Sequence, residues 1–420
     1  MLTVEYLKKV IVPQNIKFNQ PEEMVTREVL PEIGKLTDTP HVIIISGLRR
    51  SGKSTLVKQI NEKFYSERFA YLNFDDEKLL NFKPEDFTAV YETFLELNEK
   101  VEIMFFDEIQ NVTGWEAAIR RLHNEKIKIF ITGSNASLLS RELGTRLTGR
   151  HLDIVLYPFS FKEYLVYRNI SVNTLDLFTP QKTALIKKEF AVYFRNGGIP
   201  EYVRYGRDEI IKQLYEDILI KDIIVRYSIG DEKSFRELAR LLISNTGKLF
   251  SYNRLKEALT LGSLNTVKSY ISYMENSYLL FQVEKFDSSL RKQIINNKKI
   301  YCIDNAFLNL VTFETTENIG RKLENMVFVE LKRRGYSVHY FREKWECDFI
   351  VSRNMRAEQA IQVCYELNVN NRERELNGLR EAMLACNIND GIILTYGQEE
   401  YADARGIEIK ILPVWKWLLQ

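Results

Sequence analysis

The chain has 420 residues, enough for two to four domains. Hydrophobic residues make up 45% and charged residues 28%, the profile of ordinary soluble globular domains with real cores. Lys and Arg total 59 against 57 Asp and Glu, which excludes a chain-wide signal for polyanion binding. The four cysteines, Cys302, Cys347, Cys364 and Cys386, form no CxxC pair. Their spacing argues against a zinc knuckle or a disulfide framework and fits a reducing compartment. The opening MLTVEYLKKVIVPQ has no apolar run of signal-peptide type, and no later stretch is long enough to span a membrane. A cytoplasmic protein with no membrane partner is expected. No internal repeat or low-complexity tract is found.

The first readable element is HVIIIS (41–46), a short β-branched run of the kind that forms a buried parallel strand. GLRRSGKS follows it and fits GxxxxGK[ST], with Gly47, Gly52, Lys53 and Ser54 at the fixed positions. TLVKQINEKFY (55–65) then spaces Leu56, Ile60 and Phe64 four apart, as on one helical face. Strand, glycine loop and helix stand in the order a phosphate loop needs. Its glycines let backbone N–H groups turn inward at a helix N-terminus, which favours negative charge. Thr55 joins this nucleotide-binding set. Lys53 is positioned for the outer phosphates of ATP, and the Ser54 hydroxyl for Mg2+.

VEIMFFDEIQ (101–110) is an apolar strand running into Asp107 and Glu108. At the carboxyl end of a parallel strand these residues face the ligand crevice. Asp107 is read as part of the magnesium shell, and Glu108 as the group that orients or deprotonates the attacking water. KIFITGSN (128–135) is another buried strand, and Thr132, Ser134 or Asn135 at its end is a candidate sensor of the γ-phosphate; a simple turn is the alternative. In SRELGTRLTGR, Arg146 and Arg150 are candidate arginine fingers, acting in cis or from a neighbouring subunit, or else surface arginines. HLDIVLYPFSFKEYL (151–165) supplies a last strand and a turn at Pro158.

GLRRSGKST, FFDEIQ, ITGSN, LTGR, YPFSFKEYL and YFRNGGIPEYV (193–203) together resemble prokaryotic AAA+ ATPases that carry a C-terminal domain of unknown function. The resemblance implies ATP hydrolysis with Mg2+. It also implies an adenine-side contact at Gly198 and Pro200, where a plain helix-terminating turn is the alternative. A small-molecule kinase fits less well: it has no need of the paired Asp-Glu, and no acceptor domain is evident.

Downstream, Ile210, Leu214, Ile218, Ile223 and Tyr227 recur at helical spacing, the pattern of a lid or linker. Residues 235–283 read as three helices and a strand. The third helix has Val267, Ile271, Met274 and Tyr278 on one face and Lys268, Ser269 and Ser272 outward. That order resembles a winged helix-turn-helix, whose third helix can enter a major groove. Residues 235–299 carry 11 Lys and Arg against 5 Asp and Glu, a local basic bias suited to a phosphate backbone. Protein contact is the competing use.

From about 320 the pattern is helix (323–336), strands VHYFRE, CDFIVSR and AIQVCYEL, a helix (372–386) and strand GIILTYG. This resembles the restriction-type nuclease core, in which Glu324, Asp348, Gln362 and Cys364 fall on the metal- and water-activating positions. Gln-x-Cys stands where that core has Glu-x-Lys, so nuclease activity is not expected unless Glu366 and Lys344 rebuild the site. The expected class is α/β: an AAA+ core (1–165), a helical lid (166–230), a winged-helix module (231–300) and a nuclease-like domain (301–420). The expected function is Mg-ATP hydrolysis that switches a DNA- or protein-binding module, with oligomers plausible. An ATP-dependent nuclease and a slow nucleotide-gated scaffold are the rivals.

Overall fold

The run HVIIIS forms β1 (Val42–Ser46), all five residues of which are buried. In a computed structural model, β1 sits inside a sheet with β2 (Phe69–Asn73), β3 (Ile103–Asp107), β4 (Lys128–Gly133) and β5 (His151–Val155). The order is β2-β3-β4-β1-β5, and every neighbouring pair is parallel. The structure describes residues 2–65, 69–98, 101–136, 149–312, 316–353, 356–404 and 406–420. Helices α1 (Val4–Phe18), α2 (Leu30–Gly34), α3 (Lys53–Ile60), α4 (Phe87–Leu97) and α5 (Trp115–Asn124) flank the sheet.

Strand side chains alternate between faces, and here helices cover both. Val42 and Ile44, Met104 and Phe106, and Ile129 and Ile131 pack with residues of α1, α4 and α5. Ile43 and Ile45, Ile103 and Phe105, and Phe130 pack with Leu30, Ile33, Leu56, Val57 and Ile60 of α2 and α3. Double-sided burial explains why β1 and β3 read as unbroken apolar runs rather than alternating ones. Each such isoleucine contributes about 1.5–3 kcal/mol on burial, and a carboxylate at Ile44 would break the layer. Since the strands are parallel, the loops after β1, β3 and β4 all leave from one edge.

The chain divides into two compact units: Met1–Tyr157 with Asn276–Tyr278, and Pro158–Glu275 with Leu279–Gln420. The first ends sooner than the expected boundary at 165. The segments expected as lid, winged helix and C-terminal domain form one unit instead of three. Backbone pairing accounts for part of this: Phe286 N–H donates to Tyr340 O at 2.7 Å, and Tyr340 N–H to Glu284 O at 3.1 Å.

The second unit begins with α6 (Phe161–Tyr167), α7 (Pro180–Asn196), α8 (Pro200–Tyr205) and α9 (Asp208–Asp217), then a π-helical stretch, Ile218–Val225. Ser160 and Glu163 cap α6 reciprocally, side chain to backbone N–H in both directions, at 3.1 and 2.9 Å. Next come α10 (Glu232–Ser244), β6 (Leu249–Phe250), α11 (Tyr252–Ala258), α12 (Leu264–Asn276), β7 (Leu280–Val283), α13 (Leu290–Ile295) and β8 (Lys298–Cys302). The three strands make an antiparallel sheet in the order β6-β8-β7. Helix α12 buries Val267, Ile271 and Met274 and exposes Lys268 and Ser272, as its periodicity requires. Tyr278 departs from that face. It lies beyond the helix end at φ 60° and belongs to the first unit.

The unit ends with α14 (Asn305–Val311), α15 (Thr316–Arg333), β9 (Ser337–Arg342), β10 (Glu346–Arg353), β11 (Arg356–Val363), α16 (Arg372–Cys386), β12 (Gly391–Thr395), β13 (Glu400–Asp403), β14 (Glu408–Pro413) and α17 (Val414–Trp417). Its sheet runs β13-β14-β12-β11-β10-β9. β9, β10 and β11 are antiparallel neighbours, whereas β11, β12 and β14 are parallel. Among the described residues no helix is long and apolar enough to cross a membrane.

Candidate active site

Residues 47–52 join β1 to α3. Gly47 has φ 150°, and a Cβ there would lie 2.2 Å from the Leu156 carbonyl oxygen, so only glycine fits. Gly52, at φ 94°, precedes α3 with no side-chain cap, leaving the first N–H groups of the helix open to an anion. The loop is braced from behind. Arg27, 3% exposed, donates to Ser51 O at 2.8 Å and Tyr157 O at 2.6 Å. Ser46 Oγ and the Tyr278 hydroxyl share a hydrogen bond of 2.6 Å. Lys53, 4% exposed, donates to Gly47 O at 3.2 Å and Leu48 O at 3.0 Å.

Asp107, at the end of β3, is fully buried. It accepts from the Thr132 hydroxyl and, at 2.9 Å, from the Tyr71 hydroxyl. Burial holds its carboxyl above the usual range and the Glu108 charge adds to this, while hydrogen bonds from Thr132, Ser54 and Tyr71 pull the other way. Glu108 sits in the left-handed region at φ 52°, a strained position for a residue with a side chain. Its N–H is held by Thr132 Oγ1 at 3.1 Å, and its Oε1 lies 3.9 Å from Lys53 Nζ. Gln110 donates to Glu108 Oε2 and, at 3.4 Å, to Ser134 Oγ. Lys53, Ser54, Asp107, Glu108, Thr132 and Ser134 thus converge at the carboxyl edge of β1, β3 and β4.

The donor set fits a magnesium nucleotide. The Ser51 hydroxyl is buried with no partner, and the Lys53 ammonium is turned onto its own loop. The buried Asp107 carboxyl with Ser54 beside it is a hard-oxygen set. No group of three or more His, Cys, Asp or Glu capable of holding a metal occurs among the described residues. A magnesium ion here would therefore draw its remaining ligands from phosphate and water, as this ion ordinarily does. Ser54 and Thr55 also line a cavity of about 520 Å³ that Phe18, Lys58, Tyr71 and Asn73 help to enclose.

Other expected residues fall elsewhere. Arg150 precedes β5, its carbonyl pairs with Val42 N–H at the start of β1, and its guanidinium donates to Asn124 at 3.2 Å. This is the amino edge of a parallel sheet, opposite the phosphate loop, so Arg150 is not a finger in cis. Arg146 lies outside the described residues. Pro200 opens α8 in the second unit, just after Gly198, whose N–H donates to Asp304 Oδ2 at 2.8 Å. Sequence reasoning missed Tyr71, Gln110 and Arg27. Gln110 stands within FFDEIQ, where its spacing from Glu108 was a usable signal; Arg27 had none.

In the second unit Glu324, Asp348 and Gln362 do come together. Gln362 Oε1 accepts Asp348 N–H at 3.1 Å, and Lys299 Nζ bonds both Glu324 and Asp348. Cys364 does not join them. β11 ends at Val363, and the Cys364 thiol, in an apolar cluster with Leu367 and Leu379, is pushed up to about 12 by burial. Glu366 likewise lies past the strand, and Lys344 sits exposed in the turn before β10 beside the Trp345 ring. Neither residue joins Glu324 and Asp348, so the rebuilding that could have rescued a nuclease site is not formed by this pair.

The parallel sheet, its glycine loop and the Asp-Glu pair define a phosphate-loop protein with an AAA-type ATPase domain. Residues 39–165 match the family model of an AAA domain, and residues 187–318 that of a domain of unknown function (DUF8612). The chain is 32% identical to uncharacterized protein MJ1544 of Methanocaldococcus jannaschii over a 439-residue alignment, covering 100% of this chain and 96% of the other; it belongs to that protein's family. An uncharacterized protein of Haemophilus influenzae is 31% identical, with 94% and 99% covered. The Walker-type ATPase PABY2304 of Pyrococcus abyssi aligns with a TM-score of 0.45 at 16% identity, covering 70% of this chain and 99% of that one.

Proposed function

We propose that this protein binds and hydrolyses Mg-ATP to switch a DNA- or protein-binding module in its second unit. The observation that carries the reading is the convergence at one sheet edge, with Lys53 Nζ 3.9 Å from Glu108 Oε1 and Asp107 buried beside them. Lys53 supplies a fixed positive charge to the outer phosphates. Ser54 and Asp107 hold the magnesium, which when bound neutralises charge building on the transferred phosphoryl group. Glu108, steadied by Gln110, accepts the proton of the attacking water, and Ser134 reads the γ-phosphate through Gln110. Arg146, or Arg150 from a neighbouring copy in an oligomer, is the proposed finger.

DNA is the favoured partner because residues 235–299 are locally basic and α12 exposes Lys268 and Ser272 over a buried apolar face. The helix-strand-helix-helix-strand-helix-strand order there, with α13 inserted between the two wing strands, supports a winged helix-turn-helix. The test is the ATPase rate of the parent and of Lys53→Ala, each with and without duplex DNA. Turnover lost in Lys53→Ala and stimulated by DNA in the parent is expected. A rate indifferent to DNA moves the assignment to a protein partner, and unchanged turnover in Lys53→Ala refutes the site.

A further inference from the structure

Lys299, on β8, is 2% exposed, and its ammonium touches three carboxylates: Glu346 at 2.8 Å, Asp348 at 2.9 Å and Glu324 at 3.0 Å. An ammonium has three N–H donors, and all three are used here. The carboxylates come from α15 and β10, and the lysine from the neighbouring three-stranded sheet. Around them the remaining polar atoms are also engaged. The Tyr301 hydroxyl donates to Glu324 Oε1 at 2.6 Å, and Asp348 Oδ2 accepts Val363 N–H at 3.0 Å. Gln362 donates to Glu375 at 2.5 Å while accepting from Asp348.

An ionised carboxylate is costly to bury, and several brought together call for a compensating positive charge, commonly a metal ion or a paired base. We propose that the Lys299 ammonium is the resident cation of this cluster, occupying the place a divalent ion would take and fastening β8 to α15 and β10. The cluster is then a structural joint within the second unit and has no vacancy for a metal. Its charge is consistent with one fixed cation. Burial and then the Asp348 charge raise the Glu324 carboxyl, and the Lys299 ammonium pulls it back. Glu346 remains 36% exposed, where water and Arg342, 3.7 Å away, offset it.

The test is thermal unfolding of the nucleotide-free full chain with and without millimolar Mn2+, together with Mn2+ binding counted by electron paramagnetic resonance. Lys299→Ala is expected to lower Tm and to regain about 5 °C or more on adding Mn2+. Lys299→Ala combined with Glu346→Gln is expected to lose that rescue. Any Mn2+ held at the phosphate loop is common to all variants and cancels in the comparison. No Mn2+ rescue of folded Lys299→Ala overturns the proposal. Where Lys299→Ala is not recovered folded, the parent and Glu346→Gln decide. Equal Mn2+ counts support the resident lysine, and one extra ion in the parent overturns it.

Discussion

Glu108 combines a catalytic assignment with a strained backbone, and two substitutions separate these properties. Glu108→Gln keeps the shape and the contact with Gln110 but removes the base. Loss of a positioned general base costs about 10²–10⁴-fold in rate. The substitution leaves Lys53, Ser54 and Asp107 in place, so ATP binding is expected to hold. It is even expected to tighten a few-fold, because one negative charge near the outer phosphates is gone. Glu108→Gly also abolishes turnover, but it relieves a side chain held at φ 52°. That strain is worth about 1 kcal/mol, so Tm is expected to rise by roughly 2–4 °C. Single-turnover phosphate release, binding of a fluorescent ATP analogue and a melting curve measure the three quantities. Glu108→Gln releasing phosphate within about threefold of the parent would refute the assignment of the base. A lower Tm for Glu108→Gly would show that the backbone is not strained for function.

Gly47→Ala places a methyl group 2.2 Å from Leu156 O, forcing β1 and β5 apart at the loop; overpacking of this kind costs about 1–3 kcal/mol, and nucleotide affinity is expected to fall at least about tenfold by titration. Lys268→Glu on α12 with Arg254→Glu, exposed on α11, is expected to weaken DNA binding without lowering basal ATPase, with the salt slope reduced by about one unit per lost phosphate contact; unchanged affinity removes this face of α11 and α12 as the docking surface. Burial pushes Asp304 up to about 6, against N–H bonds from Ala306 and Gly198. A raised folded value means that the folded state binds the proton more tightly. This contribution is therefore complete below about pH 4 and is lost as pH rises through about 6, a change of about 3 kcal/mol. Comparing urea unfolding between pH 4 and 7 for the parent and Asp304→Asn checks it, since the variant lacks this part of the slope.

The candidate site was legible because its elements are local: strand, loop and helix are contiguous, and the Asp-Glu pair ends a strand whose apolar run marks it as buried on both faces. Lys299 was not legible, since its three partners lie 25, 47 and 49 positions away and meet it only through tertiary packing. The place of Arg150 was hidden for a related reason. Sequence order puts Arg150 soon after β4, whose end faces the site, but Arg150 lies just before β5, and a parallel strand begins at the edge far from the ligands. Period two placed Glu366 on the face of Gln362 only while the strand lasted, and it stops at Val363. Part of YPFSFKEYL has a plain structural basis, because Ser160 and Glu163 form a capping box.

Residues Asn276–Tyr278 belong to the first unit although more than a hundred positions separate them from Tyr157. The Tyr278 hydroxyl pairs with Ser46, the last residue before the phosphate loop, and Asn276 O accepts Ala136 N–H just after β4. The two units are therefore interleaved along the chain, and no single cut yields either one whole. A fragment ending at 157 or 165 would leave the Ser46 hydroxyl without its partner. Exchange of the ATPase unit between relatives by one recombination event would fail for the same reason: the incoming unit would arrive without its own tripeptide.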